Sequence, residues 1–212
     1  MNRIFKSRAI VLIACITAWS IGAICASPGD PKMTKEEREK AVHLLVDSQK
    51  EFFDAVENIS DAQWSYRPSP FKWSVGLVAE HIVLTQDRIY SVIELSLAGK
   101  PNPDWEAKTT GKENLLERVL PNRTGRAQAP VEVVPTGKLT RQQITSKFRE
   151  SRARILQFAE KTDLPLKAHT FDNPFAIFNT LNAYDWLLYI PLHTTRHLKQ
   201  MAEVKATPGY PK

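Results

Sequence analysis

Trp186-Leu187-Leu188-Tyr189-Ile190-Pro191-Leu192-His193-Thr194-Thr195-Arg196-His197-Leu198-Lys199-Gln200 is the stretch of this 212-residue chain that says most about its fold. Trp186, Ile190, His193, His197 and Met201 recur at helical spacing, which predicts one helix from near Thr180 to about Ala206. Pro191 lies inside it. Proline has no N–H for the carbonyl four residues back, so a kink is expected just before His193. His193 and His197, four apart, share a face with Cβ atoms about 5–6 Å apart. They also share the apolar stripe and so point inward. Such a pair can clamp one ion, with bonds of about 2.0–2.1 Å for zinc.

Working toward the N-terminus, three more stretches carry the same period. Thr34 caps a helix over about 34–58 that opens with Glu36 and Glu37 and buries Val42, Leu45, Gln49, Phe52, Phe53 and Val56. Ser74 caps a second, with the stripe Val78, Ile82, Thr85, Ile89, Val92 and Leu95, ended by Gly99. Thr140 caps a third that runs to about Lys161 on Ile144, Phe148, Ile155 and Phe158 or Ala159. Its Arg141, Lys147, Arg149, Arg152 and Arg154 read as a solvated basic face. The connections are an aromatic, proline-rich stretch from Ile59 to Trp73, a long one from Gly99 to Gly137 with a short helical turn at Glu113–Val119, and a third from Thr162 to Asn179. No stretch has a convincing strand pattern. Four amphipathic helices bury their apolar faces best side by side, so the fold class is all-α, a four-helix bundle. The long second connection permits a crossover, so the order of the helices stays open.

His81 lies on the second helix's inward stripe, three after Val78 and four before Thr85. With His193 and His197 it supplies three ligands and leaves a coordination position open, the pattern of a reactive site rather than a closed structural one. A divalent transition metal is expected, zinc first, with nickel, manganese or iron also suited to imidazole. The His193–His197 motif is not that of a zincin, because Thr194 stands where the general-base Glu would follow the first His. Glu80 precedes His81 but is rotated away from it on the helix, and no catalytic carboxylate is assigned. Tyr189 and Gln200 are spaced to back the ligands, with Asp185 more remote; packing or solvent exposure is the plainer reading of all three. His43 and His169 read as surface residues. There is no Gly-rich phosphate loop and no G-x-S-x-G elbow. Ser69-Pro70-Phe71-Lys72 matches Ser-x-x-Lys by chance, without its companion motifs.

The N-terminus reads as a targeting segment. Arg3, Lys6 and Arg8 precede an apolar run from Ala9 to Ala26 that ends in small residues. The expected organisation is a signal peptide over 1–26, a linker over 27–33 and one helical domain over 34–212, exported once cleaved after Ala26. An uncleaved anchor is the alternative, and the only case in which a membrane is a partner. A lipoprotein reading would use Leu12-Ile13-Ala14-Cys15, after an apolar stretch that is short for the purpose. Both cysteines, Cys15 and Cys25, would leave with the signal, so the mature domain has no disulfide, thiolate ligand or cysteine nucleophile. The net charge of +6 falls to +3 on losing Arg3, Lys6 and Arg8, which with no basic patch argues against nucleic acid.

Three stretches resemble the DinB/YfiT-like family of metal-dependent proteins. They are Trp64-Ser65-Tyr66-Arg67-Pro68 with Trp73-Ser74 and Ala79-Glu80-His81; Pro135 to Thr140 with Arg152; and Trp186 to Gln200 with Glu203-Val204-Lys205 and Pro208-Gly209-Tyr210-Pro211. The resemblance implies an up-down-down-up bundle and a three-histidine metal site at His81, His193 and His197. Some members are transferases or isomerases that use mycothiol or bacillithiol, and export of this chain argues against such intracellular thiols. The expectation is a metal-dependent hydrolase or transferase acting on a small molecule. The alternative is a metal- or ligand-binding bundle without turnover. A homodimer is allowed for.

Overall fold

A computed structural model describes residues 29–125 and 127–212, so the expected signal segment lies outside the described residues. Four long helices form the body: α1 (Lys35–Val56), α3 (Val75–Ala98), α6 (Arg141–Lys161) and α7 (Ala183–Lys205). Each starts on a side chain that accepts from an otherwise unpaired backbone N–H: Thr34, Ser74, Thr140 and Asn182. Three short helices lie between them: α2 (Asp61–Ser65), α4 (Trp105–Thr109) and α5 (Lys112–Val119).

The order is up-down-down-up. Arg38, at the start of α1, donates to the carbonyls of Ala159 and Thr162 at the end of α6, so these two helices run antiparallel. Lys205 at the end of α7 donates to Ala55 at the end of α1, so α1 and α7 run parallel. Along α3 and α6, Gln86 meets Arg152 and Tyr90 meets Phe158, so these also run parallel. The best-packed pairs are α3 with α7 and α1 with α7, then α1 with α6 and α3 with α6. Helices α1 and α3, consecutive among the four long helices, therefore sit on a diagonal. Residues 99–140 cross the length of the bundle to carry the chain from the end of α3 back to the level where α3 began.

Two apolar clusters fill the interior. The one around Leu45, Ile93, Leu116, Ile155, Leu187 and Ile190 lies toward the end where α1 and α7 begin. The other, around Phe52, Val78, Ile82, Phe148 and Met201, lies toward the opposite end, where Phe52 and Phe148 stack at 3.8 Å between ring centroids.

Several expectations need correction. Strands are present: Thr170–Asp172 (β1) pairs antiparallel with Thr180–Asn182 (β2), so α7 starts at Ala183 rather than Thr180. Three-residue strands are too short to show a period. Leu95 is exposed and Ile93 takes the inward place. His169 is not a surface residue: it is buried, with Nδ1 3.0 Å from the Ser96 carbonyl. The largest departure is on the face of α6 expected to be solvated. Arg152 is 0% exposed and donates to Gln86 Oε1 (2.8 Å), the Leu45 carbonyl and Ser48 Oγ (2.7 Å each) and Thr194 Oγ1 (3.2 Å), joining α6 to the other three helices. His43 is on the surface, as expected.

Candidate metal centre

His81 projects from the second turn of α3, and His193 and His197 from consecutive turns of α7. The close packing of these helices brings the three rings together, with one ring nitrogen from each lying within 4.8 Å of the others. Centroid separations are 5.2 Å for His81–His193, 4.5 Å for His81–His197 and 4.3 Å for His193–His197. The Nε2 atoms of His193 and His197 stand 3.1 Å apart. Ligands around one tetrahedral zinc at bond lengths of about 2.0–2.1 Å sit about 3.3 Å from one another. The cluster is therefore close to the spacing that a single ion requires.

His81, His193 and His197 are 3%, 9% and 7% exposed. Burial holds all three in the neutral form that a ligand needs. It lowers the His81 pKa against the opposing pull of the Val133 carbonyl. It drives that of His193 well below the usual range, with help from His197 and His81. It brings His197 to about 3, again with help from His81. Three neutral imidazoles and no charged ligand fit a divalent transition metal with a further position free for an exogenous ligand. Among the described residues no Asp, Glu or Cys joins the cluster.

The surroundings orient the rings. A carbonyl only accepts, so His81 donates from Nδ1 to Val133 O (2.7 Å), and its Nε2 carries the lone pair. Val133 belongs to a 3-10 turn (Val131–Val133) of the crossover. The next residues of that segment are fixed by Glu80, whose Oε1 accepts from Thr136 N and Oγ1 (3.0 Å each) and whose Oε2 accepts from Gly137 N (2.8 Å). Glu80 does point away from the cluster, as its helical angle predicts, but it is buried and holds the crossover that orients His81. Trp73 lies 4.9 Å from the His81 ring, and Tyr189 stacks on His193 at 6.0 Å. Gln200 Oε1 is 2.8 Å from His197 Nδ1. Of the polar residues spaced to back the ligands, Tyr189 and Gln200 both reach them. Asp185 does not: it is buried in the capping box that starts α7, where burial pushes its carboxyl up to about 7.

Beyond the bundle's own contacts, the crossover is stitched to α7. Arg196 donates to the carbonyls of Leu120, Asn122 and Gly125, and Lys199 to Pro121. Arg123 forks onto Glu203 at 3.1 and 3.0 Å and reaches Gln200 Oε1 at 3.5 Å. An open groove of about 720 Å³ runs between this segment and the outer face of α7. It does not include the histidines.

The fold and the cluster define a crossover helical bundle with three inward histidines on two helices. Residues 44–201 match the DinB superfamily, and the chain belongs to that family. It is 24% identical over 162 residues to the uncharacterized protein YuaE of Bacillus subtilis (strain 168), covering 73% of this chain and 91% of that protein. Among solved structures it is similar to YfiT from Bacillus subtilis, described as a probable metal-dependent hydrolase with an unusual four-helix bundle topology. The TM-score is 0.50 at 17% identity, over 87% of this chain and 94% of that one.

Proposed function

We propose that this protein is an exported metal-dependent enzyme of the hydrolase or transferase type. It acts on a small molecule at His81, His193 and His197. The observation that carries this reading is the convergence of three buried imidazoles within 4.8 Å with no charged ligand among them. Zinc is the first choice of metal, with nickel, manganese and iron behind it. A divalent metal there supplies Lewis acidity, which polarises a carbonyl or activates a nucleophile at neutral pH. The chain's own part is to keep the imidazoles neutral, to orient them through Val133 and Gln200, and to shield them beneath the crossover. That the solved structure of YfiT is described as a probable metal-dependent hydrolase supports the same class here.

Metal analysis of protein purified without chelator tests the site. About one transition-metal ion per chain is expected, with a sharp loss in His193→Ala. Stoichiometric metal in the His81, His193, His197 triple alanine variant would sink the assignment. Turnover of a thiol- or hydrolase-substrate panel, abolished by chelator and restored by metal, tests the enzyme reading. One observation favours a second reading, a binding bundle without turnover. Among the described residues no carboxylate joins the cluster, and the nearest in sequence, Glu80, is occupied by Thr136 and Gly137. Metal without turnover across that panel would select it. Export rests on the basic and apolar N-terminal segment and requires a mature N-terminus at or near Ser27, which intact mass of the secreted protein decides.

A further inference from the structure

His81 and His197 each have a fixed partner at Nδ1, but the partners differ in kind. At His81 the partner is a backbone carbonyl, which only accepts, so the proton position is settled by main chain. At His197 it is the side-chain amide of Gln200, whose two ends have nearly the same shape and opposite hydrogen-bonding character. With its oxygen toward His197, the amide accepts a hydrogen bond from Nδ1–H, which keeps the ring proton there and leaves Nε2 bare. Flipped, it donates to Nδ1, and the ring proton moves to Nε2, the atom that faces His193 at 3.1 Å. A ring protonated there cannot ligate through that nitrogen. Something must therefore choose between the two orientations.

Arg123 makes that choice. A guanidinium has donors only, and its Nη1 faces Gln200 Oε1 at 3.5 Å. Flipping the amide would set two donors against each other. Arg123 is itself aimed by Glu203, three residues beyond Gln200 on the same face of α7, through Nε at 3.1 Å and Nη2 at 3.0 Å. We infer that Gln200, oriented by Arg123 of the crossover, is the positioning residue that presents His197 through Nε2. The seat of the crossover on α7 is thereby part of the metal centre. This rests on the metal reading proposed above. As a stability element the Arg123–Glu203 pair has little to contribute, since both side chains are partly exposed (26% and 55%) and water screens such pairs.

The test uses the whole mature protein and two readouts: the ring 15N shifts of His197 in chelator-treated protein, and the zinc dissociation constant by competition with a chromophoric chelator. Wild type is expected to show His197 protonated at Nδ1. Gln200→Leu removes the acceptor and should give mixed tautomers with zinc binding weakened about 10–100-fold, the usual cost of losing a group that orients a ligand. Gln200→Glu accepts at both oxygens and should keep the wild-type tautomer and affinity. Arg123→Ala frees the amide to flip, so both tautomers should appear, with a smaller loss of affinity than in Gln200→Leu. Arg196→Ala loosens the same crossover segment without touching Gln200 and should perturb both readouts less than Arg123→Ala. An unchanged tautomer and dissociation constant in Gln200→Leu would overturn the inference. So would equal effects of Arg196→Ala and Arg123→Ala, which would mean simple loosening of the segment. If wild type binds no zinc, nickel, manganese or iron, it is the metal reading that fails, and the tautomers of the metal-free variants still decide whether Gln200 and Arg123 fix the ring.

Discussion

Replacing Arg152 by methionine sets two large terms against each other. The guanidinium is fully buried without a carboxylate partner, and burial lowers its pKa to about 9. That fall corresponds to about 5 kcal/mol of penalty on the charged form. Against it stand the four hydrogen bonds to Gln86, Leu45, Ser48 and Thr194. Bonds to a charged group are worth about 1.5–3 kcal/mol each, about 6–12 kcal/mol together. The bonds win, by about 1–7 kcal/mol. Methionine recovers part of the packing over Phe148, where the guanidinium lies 4.9 Å from the ring, but satisfies none of the four acceptors. Arg152→Met should therefore lose about 3 kcal/mol. Urea unfolding of chelator-treated protein at pH 7 measures this free of any metal contribution. Arg152→Lys, with one point donor in place of a planar fork, should fare no better. A methionine variant as stable as wild type, or more so, would show instead that the buried cation is a net burden, as many buried ions are.

Pro191→Ala restores a backbone donor within α7 and, in a helix free to be straight, would gain about 3 kcal/mol. Because Pro191 is buried two residues before His193, we expect little gain in melting temperature and a weaker metal dissociation constant; a raised melting temperature with unchanged affinity would mark the proline as incidental. Asp185, whose carboxyl is pushed up to about 7 by burial, should show in pH dependence. A raised folded-state pKa contributes stability below the unfolded value near 3.8 that is lost as pH rises through about 7, about 4 kcal/mol in all. Asp185→Asn should flatten that decline and be more stable than wild type at pH 8; parallel unfolding curves for the two proteins from pH 5 to 8 would contradict it. Gly76→Ala would place a Cβ 2.4 Å from Trp64 Nε1, so α2 must shift, at a cost of about 1–3 kcal/mol by overpacking despite the better helix propensity of alanine; equal or greater urea stability would show that Trp64 can move freely.

The long helices were legible because their ends are chemically marked. Thr34, Ser74 and Thr140 cap as read, and the stripes between caps and stops lie inward with the exception of Leu95. The histidines could be placed on inward faces from spacing alone, and Gln200, three residues after His197, is spaced to back that ligand although packing or exposure is the plainer reading of its position. What escaped depends on contacts distant in sequence. Arg123, 77 residues from Gln200, carries no local mark. His169 is covered only because the chain folds back against the end of α3. Arg152 is a different case. It lies four after Phe148 and three before Ile155, on the apolar stripe itself, so its inward position was readable. The general tendency of charged residues to face water conflicts there with the apolar period, and the period prevails.

The order of the helices has a consequence for how the chain assembles. Of the well-packed pairs of long helices, only α3 with α6 joins two that follow one another among the four, and these run parallel. No hairpin of neighbouring helices can form early and serve as a template. Closure of residues 99–140 must come before α3 and α6 can align, and α1 waits for α7, the last to be made, to complete its side of the core. Native contacts therefore span large sequence separations, and the chain should fold more slowly than an up-and-down bundle of the same size. The three histidines come together only when α3 and α7 dock, so acquisition of the site reports that long-range contact.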